Sequence, residues 1–259
     1  MQTVAVIIPI YKKELTENEQ ISFNNITSVL YQHPIIVIKP ETLSLNSLLS
    51  SHSNIHVESF DNAYFKGRGG YNRLMMDSKF YQRFEKKYKF ILIAQLDTYF
   101  FKDELLEWCE KDYDYIGAPW LLKPKYYLRL FKFTSWLKFK YCLYKDKPNS
   151  QALRYKVGNG GLSLRKISSC KHICKIKKNI INFYLSQDHH MFHEDVFFSL
   201  ETSSSNLTFK IPNYKEALKF SFDKYPELCY KTNNNQLPFG CHAWYSKKNK
   251  SYWSKIIKR

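Results

Sequence analysis

The run KFILIAQL at residues 89–96 is the most strand-like stretch of the chain, and Asp97 follows it directly. A short apolar run of this kind is typical of a strand that is buried on both faces. In open parallel sheets, ligands bind outside the carboxyl ends of the strands. The sequence therefore predicts a functional carboxylate at Asp97, although a turn or capping role remains open from its position alone.

Upstream of this run, strand patterns alternate with a helix pattern. VAVIIPI at residues 4–10 is followed by partial helical spacing over 14–30, and strand patterns return in IIVI at 35–38 and IHVESF at 55–60. This alternation predicts an α/β fold whose parallel sheet has crossover helices.

The later segments continue the pattern. Glycines at positions 67, 69 and 70 predict a loop before a helix over 71–84. Further along we expect a helix at 104–110, a strand at 113–120, ordered α/β sequence at 157–165, a basic helix at 166–186 and a helix at 193–200.

The composition is that of a folded and strongly basic protein. Of 259 residues, 40 are Lys or Arg and 23 are Asp or Glu, so the net charge is +17. A hydrophobic fraction of 44% excludes a disordered chain. The charge suits nucleic acid, an anionic membrane surface or phosphorylated substrates. The N-terminal strand pattern and six cysteines without a CxxC pair predict a cytoplasmic protein.

Three other segments are candidates for metal binding, acid–base catalysis or ligand binding. His242 offers an imidazole, which together with a carboxylate suits Mn²⁺ or a similar ion. Glu194 and Asp195 would act either as capping groups at a helix start or, facing a cleft, as a general base and a substrate ligand. The glycine-rich loop 158–161 would either let backbone approach a ligand or form a hairpin turn.

Seven segments occur in order along the chain: VAVIIPIYKKEL, GYNRLMMDSKFY, YKFILIAQLDTYFFKDELLEWC, YDYIGAPW, VGNGGLSLRK, HEDVFFS and LPFGCHAW. Together they resemble a bacterial family of GT-A-type glycosyltransferases from surface-polysaccharide gene clusters, formerly treated as a domain of unknown function. The resemblance covers most of residues 4–244. It implies a Rossmann-like α/β/α sandwich of the GT-A type with a mostly parallel central sheet.

On this resemblance, residues 1–259 form a single catalytic domain with four parts. Residues 1–120 would be the nucleotide-binding half and 157–244 the acceptor half. A basic aromatic insert at 121–156 and a basic tail at 245–259 fall outside the resemblance.

The resemblance also implies the residues that bind the donor. Pro9-Ile10-Tyr11 matches the strand end that touches the nucleotide base, and Asn72-Arg73 matches the helix start near the nucleotide and its diphosphate. Asn159-Gly160-Gly161 matches the loop that lines the donor sugar. Gln95-Leu96-Asp97 occupies the place of an Asp-x-Asp motif, with Gln as its first residue, and His242 matches the C-terminal His that completes the metal shell.

The implied reaction is glycosyl transfer. The protein would move a sugar from a nucleotide-sugar donor, with UDP-sugars favoured, to a hydroxyl of a glycan or lipid-linked acceptor in capsule or lipopolysaccharide synthesis. Asp195 would take the proton of the attacking hydroxyl, Glu194 would bind acceptor or donor hydroxyls, and in-line attack would invert the anomeric carbon. A Mn²⁺ or Mg²⁺ ion, held by Asp97 and His242, would stabilise the departing diphosphate.

Two other functions remain open from the residues. A nucleotidyltransferase shares the sheet and the metal chemistry, but it would need a glycine-rich loop directly after the first strand, where this chain has PIYKK. A nucleic-acid-binding protein would explain the basic and aromatic residues. Because no recognisable binding motif of that class occurs, we expect no nucleic acid partner.

The insert contains KYYLRLFKFTSWLKFKYCLYK, residues 125–145, which has no acidic residue. On a helix, one face would carry apolar side chains bordered by cations: Tyr127, Leu130, Phe131, Leu137 and Tyr141, with Arg129, Lys132, Lys138 and Lys140. The tail repeats this chemistry with Trp253, Ile256 and Ile257. Such segments bind anionic membrane interfaces, which predicts a peripheral location at the inner membrane face. Packing as a helical lid or a dimer contact remains open.

Overall fold

Six strands form the central sheet of the computed structural model, which describes residues 1–50, 52, 54–122, 129–145, 147–202 and 208–257. The strands of these ranges are β1 (Gln2–Pro9), β2 (Ile35–Pro40), β3 (Ile55–Phe60), β4 (Tyr88–Ala94), β5 (Tyr99–Phe100), β6 (Tyr115–Gly117), β7 (Leu162–Lys166), β8 (Ser221–Phe222) and β9 (Gly240–Cys241). The α-helices are α1 (Glu17–Val29), α2 (Asn46–Leu49), α3 (Gly67–Met75), α4 (Ser78–Glu85), α5 (Leu105–Glu110), α6 (Arg129–Tyr144), α7 (Ile167–Ile176), α8 (Lys178–Leu185), α9 (Glu194–Leu200), α10 (Tyr214–Phe220), α11 (Pro226–Thr232) and α12 (Lys250–Trp253).

The central sheet has the strand order β3-β2-β1-β4-β7-β6. Its first four strands are parallel, with Ile7 of β1 opposite Ile36 of β2 and Ile93 of β4. β7 is antiparallel to both of its neighbours, and its first residue, Leu162, lies opposite Ala94 at the end of β4. The predicted mostly parallel α/β sheet is therefore confirmed. The loop before β7 reaches the edge at which the parallel strands end.

Alternating side chains fill an apolar layer on each face of this sheet. Ala5 and Ile7 of β1 point into the layer that α3, α4, α7, α8 and α9 cover. Val4, Val6 and Ile8 point into the layer that α1, α5 and α10 cover. This follows from the strand geometry, since successive side chains point to opposite faces.

A small second sheet adjoins the first, in the order β5-β9-β8. β9 pairs antiparallel with β5, so that Cys241 lies opposite Tyr99, and parallel with β8. The pairing joins a segment near the middle of the chain to one near residue 240.

The predicted loop at positions 67–70 is wrong, because α3 begins at Gly67. A Cβ on Gly70 would lie 2.4 Å from the carbonyl oxygen of Ala63, so this glycine lets the helix pack on the preceding turn. The predicted helix 71–84 is in fact divided. Asp77 caps α4 by accepting a hydrogen bond from Lys79 N (2.8 Å), and this cap starts a new helix.

The predicted basic helix 166–186 is also two helices. α7 ends at Ile176 and α8 begins at Lys178. Lys177 between them caps both helices: its N–H donates to Ile173 O, and its carbonyl accepts from Ile181 N. The break lets both Ile173 and Ile181 reach the same apolar layer.

The apolar side chains of the tail, which the sequence predicts to bind a membrane interface, pack within the protein instead. Trp253 is fully buried and stacks on Phe101, with ring centroids 5.4 Å apart. Ile257 is buried, and Ile256 is partly buried against the same cluster, which includes Trp244. The apolar side chains of the tail therefore complete a third core cluster, since they find apolar partners within the fold.

Within the insert, Arg129–Tyr144 form helix α6, as predicted. Of the apolar face expected on it, Leu130, Phe131, Leu137 and Tyr141 are exposed, and Tyr127 lies outside the described residues. No helix in the described part of the chain combines the length and apolar character needed to span a bilayer.

Candidate functional site

Asp97 and His242 face each other where the two sheets meet. Asp97 is the third residue after β4, in a turn closed by a hydrogen bond from Thr98 N to Gln95 O (3.0 Å). The pairing of β9 with β5 brings His242 beside this turn. Nε2 of His242 lies 3.1 Å from Oδ1 of Asp97. Both atoms are shielded from solvent, and neither makes an aligned hydrogen bond within the described residues.

Asp223 holds the other side of the imidazole, with its Oδ1 3.2 Å from Nδ1 of His242. Burial lowers the pKa of His242, but Asp97 and Asp223 outweigh burial and raise that pKa to about 10. Burial raises the pKa of Asp223, yet the hydrogen bond and charge of His242 bring it below its usual range. At neutral pH the ring is therefore protonated and donates Nδ1–H to Asp223.

The loop before β7 packs against both His242 and Glu194. Asn159 is buried, has a φ of +68°, and places its Nδ2 3.0 Å from Nδ1 of His242. A Cβ on Gly161 would lie 2.1 Å from Nε2 of His242, and a Cβ on Gly160 would lie 1.6 Å from Oε1 of Glu194. Because neither glycine has room for a side chain, the loop backbone lies directly against both groups.

Glu194 is buried and paired with Arg165, a fully buried residue of β7. Nη2 of Arg165 lies 3.2 Å from Oε1 and 3.0 Å from Oε2 of Glu194. The same guanidinium donates to the Tyr81 hydroxyl and to Ser163 Oγ, both at 3.0 Å. Burial raises the pKa of Glu194 to about 7, and Arg165 opposes that change. The Arg165–Glu194 pair lies directly against Gly160.

Asp195 is half-buried in the first turn of α9, where its Oδ1 accepts a hydrogen bond from Val196 N (2.9 Å). Burial raises the pKa of Asp195, while His193 and the Val196 N–H act in the opposite direction. Asp223 and Lys224 are its other charged neighbours. Asp195 follows Glu194 in the chain, and the charge of Asp223, which contacts the imidazole, acts on the pKa of Asp195.

These contacts define one cluster, which contains most of the predicted catalytic, sugar-binding and metal-binding residues: Asp97, Asn159, Gly160, Gly161, Glu194 and His242. Asp195 adjoins the cluster as the residue after Glu194. Asn72 joins it, since its Oδ1 accepts a hydrogen bond from Glu194 N (3.2 Å). Gln95 adjoins it through a hydrogen bond from its backbone N to Gly161 O (2.9 Å).

The residues predicted to touch the nucleotide lie at the border of the cluster or outside it. Pro9 and Ile10 are buried at the carboxyl end of β1, and Tyr11 beside them is 62% exposed. Burial raises the pKa of Tyr245, and the charges of Asp97 and Tyr11 raise it further, so this strand end and the cluster both lie within electrostatic range of Tyr245. Arg73 is exposed, and no described contact joins it to the cluster.

Sequence reasoning does not identify Asp223 or Arg165 as part of the site. Asp223 lies in FSFDKY, which matches no motif. Arg165 could have been noticed in the sequence, because it is a charged residue in the apolar strand pattern of Leu162 and Leu164. A cation on such a strand needs a buried acidic partner, and that partner is Glu194.

Asp97 and His242 offer two of the ligands that a divalent cation needs. Oδ1 and Nε2 face each other without aligned hydrogen bonds, and a carboxylate with an imidazole suits Mn²⁺. Within the described ranges, no three His, Cys, Asp or Glu side chains are grouped to hold a metal ion. The residues therefore fit a cation that takes its other ligands from water or from a bound phosphate.

The comparisons with known proteins concern the family and the fold. A family model described as "Protein of unknown function (DUF5672)" matches residues 54–242. A comparison with curated proteins gives no match.

Several solved structures are similar to this chain. Mouse xyloside xylosyltransferase 1, in its apo form, matches with a TM-score of 0.54 and 10% identity, over 93% of this chain and 97% of that one. The galactosyltransferase LgtC, solved with donor and acceptor sugar analogues, matches with a TM-score of 0.54 and 11% identity, over 97% and 92%. The mannosyltransferase Ktr4p from S. cerevisiae, solved with GDP, matches with a TM-score of 0.50 and 9% identity, over 83% and 68%.

At these identities the likeness concerns the fold. The predicted resemblance to GT-A-type glycosyltransferases is confirmed at that level. A bacterial origin and a surface-polysaccharide context stay predictions.

Proposed function

The chain belongs to the DUF5672 family, and from its fold and its cluster of side chains we propose that it is a nucleotide-sugar-dependent glycosyltransferase. The observation that carries the proposal is the meeting of Asp97, His242 and the loop before β7 at the edge where the parallel strands end. In sheets of this type, that edge is the ligand-binding edge.

The donor must lose its nucleoside diphosphate, and the charge that develops on this leaving group has to be stabilised. We propose that Oδ1 of Asp97 and Nε2 of His242 hold Mn²⁺ or Mg²⁺. Bound there, the ion would supply positive charge next to the diphosphate. Lys224 is an exposed cation whose charge lowers the pKa of both Asp195 and Asp223. It would add to the positive charge next to the diphosphate.

The acceptor hydroxyl must lose its proton as it attacks. In the proposed reaction, its oxygen bonds to the anomeric carbon, the bond from that carbon to the diphosphate breaks, and the proton passes to the Asp195 carboxylate. Burial raises the pKa of Asp195, which makes it a stronger base than an exposed aspartate. Inversion of the anomeric carbon stays a prediction.

The remaining roles are proposals of the same kind. Gly160 and Gly161 would let the donor sugar lie against loop backbone. Glu194, paired with Arg165 beneath that loop, would hold its shape, and binding of hydroxyl groups by Glu194 stays a prediction. The segments Pro9-Ile10-Tyr11 and Asn72-Arg73 would border the nucleotide. We propose a UDP-sugar as donor and a glycan or a lipid-linked molecule as acceptor, in capsule or lipopolysaccharide synthesis at the inner membrane face.

The test is slow donor hydrolysis by the purified protein with Mn²⁺, measured as release of nucleoside diphosphate from UDP-, GDP- and CMP-sugars. We expect one donor to be hydrolysed and Asp97→Asn to lower the rate by at least about 10²-fold. The matched control is Asp103→Asn, whose carboxylate contacts His33 at 3.0 Å outside the cluster.

Three outcomes would contradict the proposal. If no sugar nucleotide is hydrolysed or raises the melting temperature, glycosyl transfer is wrong. If the protein instead makes a sugar nucleotide and pyrophosphate from a nucleoside triphosphate and a sugar phosphate, it is a nucleotidyltransferase. If neither EDTA nor Asp97→Asn changes the rate, Asp97 has no part in the site.

A further inference from the structure

Helix α6 packs on the protein through one narrow face. Ser135 and Cys142 are buried, and Phe139, between them on the same face, is partly buried. Gln151 Nε2 donates to Ser135 O (2.6 Å), and Arg154 donates to the Ser135 hydroxyl. The spacing of four and three residues marks one helical face, which rests on the segment after the helix.

The opposite face of α6 is apolar and meets solvent. Its five large side chains, here called the outer stripe, follow each other at intervals of three or four residues and are exposed by 71, 57, 47, 54 and 81%: Leu130, Phe133, Leu137, Tyr141 and Tyr144. A surface helix normally shows the reverse, with its apolar face on the core. A contiguous apolar face of this kind marks an interaction surface.

Cations border the outer stripe. Lys138 and Lys140 lie beside it, and Lys145 follows the helix, with its Nζ 5.0 Å from the centre of the Tyr144 ring. The Nζ of Lys140 lies 5.9 Å from the Trp136 ring. The helix has no acidic residue. Two copies of the stripe would therefore bring like charges together, whereas an anionic surface would neutralise them.

The insert leaves and rejoins the fold next to the candidate site. Trp120 N donates to Lys156 O (2.9 Å), and Tyr155 N donates to Trp120 O (2.8 Å), so the two ends of the insert are paired. A Cβ on Gly158 would lie 1.9 Å from the Trp120 ring. The base of the insert thus contacts the loop that carries Asn159.

We propose that the outer stripe of α6 docks on an anionic lipid bilayer. Its aromatic and aliphatic side chains enter the boundary between headgroups and acyl chains, and the flanking lysines meet lipid phosphates. This places the candidate site beside the membrane and assigns docking to α6 rather than to the buried C-terminal residues. It extends the proposed function toward a lipid-linked acceptor, but vesicle binding can be measured without transfer activity.

The test is sedimentation of the full chain with vesicles of phosphatidylcholine, with and without phosphatidylglycerol. We expect binding to the anionic vesicles only, with release at about 0.5 M NaCl because the lysine contacts are screened. Phe133→Ser/Leu137→Ser should weaken binding by at least about tenfold. The matched control is Phe183→Ser/Leu106→Ser, at side chains that are 54 and 50% exposed elsewhere on the surface.

Fluorescence gives a second measurement on the wild-type protein. Trp136 is 50% exposed, whereas Trp108, Trp244 and Trp253 are buried. We expect a blue shift on binding, which Trp136→Phe should remove.

Failure of wild-type protein to bind anionic vesicles, or equal binding by Phe133→Ser/Leu137→Ser, would overturn the proposal. Light scattering that finds a dimer broken by the same double substitution, without vesicle binding, would assign the stripe to a second copy instead. Donor hydrolysis by the double variant should equal that of wild type, so a failure of docking stays distinct from a failure of the proposed activity.

Discussion

Gly160 lies directly on the Glu194 carboxylate: a Cβ at this position would stand 1.6 Å from Oε1. The carboxylate cannot move aside freely, because both of its oxygens are held by Arg165, which is itself fully buried. The shape of the loop before β7 is therefore set by a buried ion pair, and glycine is the residue that fits above it.

The first prediction concerns this contact. Gly160→Ala should lower the free energy of unfolding by roughly 1–3 kcal/mol through overpacking and should reduce donor hydrolysis. Urea unfolding and the hydrolysis assay measure the two effects. The control is Gly69→Ala in α3, where a Cβ would meet nothing within 4 Å, and there we expect a gain of roughly 0.5–1 kcal/mol. Wild-type stability of Gly160→Ala would contradict this prediction, because it would show that the loop shifts to make room for the added methyl group.

The second prediction concerns the proposed base. Asp195→Asn should lower kcat by at least about 10²-fold while the protein stays folded, because the amide cannot take the acceptor proton. Burial raises the pKa of Asp195. The wild-type rate should therefore still rise with pH above the range in which an exposed aspartate loses its proton, and Asp195→Asn should remove this rise. Asp188→Asn, at an exposed carboxylate, is the control. An unchanged kcat for Asp195→Asn would remove the residue from the mechanism.

The third prediction separates charge pairing from packing. Arg165→Met should cost about 3–5 kcal/mol, because it leaves the Glu194 carboxylate buried without its partner. Adding Glu194→Leu should recover much of that loss, since no buried charge then remains. Urea unfolding measures both, and Glu227→Gln, in an exposed pair with Lys231, should leave the midpoint unchanged. If the double variant is no more stable than Arg165→Met, the ion pair does not explain the loss.

The fourth prediction concerns pH. Two carboxylates raise the pKa of His242 to about 10 in the folded protein, above the usual value of about 6.5. The folded state therefore binds this proton more tightly than the unfolded state. The resulting stability is fully present below about pH 6.5 and is lost as the pH rises through 10.

Urea midpoints measured in EDTA between pH 6 and 10 test this, with His242→Gln expected to flatten the curve and the exposed His172→Gln to leave it unchanged. Because a metal at Nε2 must displace the proton, we also expect Mn²⁺ to bind more tightly as the pH rises and to release a proton, which calorimetry in two buffers measures. A wild-type curve as flat as that of His242→Gln would contradict the assignment.

The sequence predicts the first half of the fold well, because its strands are short apolar runs that end at prolines or acids. The buried runs of β1, β2 and β4 lie where the pattern places them. The start of α3 at Gly67 and the break between α7 and α8 at Lys177 could not be predicted, since they depend on how helices pack on neighbouring segments. The antiparallel direction of β7 is likewise a tertiary property.

Members of the cluster could be predicted where a residue follows a strand or matches a motif, as Asp97 and His242 do. Asp223 was not, because its role comes from a contact with His242 that joins two distant loops. The predicted membrane binding of the tail is wrong for a related reason. An aromatic and basic segment looks the same in sequence whether its partner is a membrane or, as for Trp253, the protein's own core.

Asn249 links the residue that contacts the His242 ring to the residue that follows His242 in the chain. Its Nδ2 donates to Asp223 O (2.7 Å) and to Ala243 O (3.2 Å). During synthesis on the ribosome, a nascent chain that has emerged only as far as His242 therefore lacks the two Asn249 hydrogen bonds that hold this segment beside Asp223. The surroundings of His242 are therefore completed only after the segment around Asn249 has left the exit tunnel.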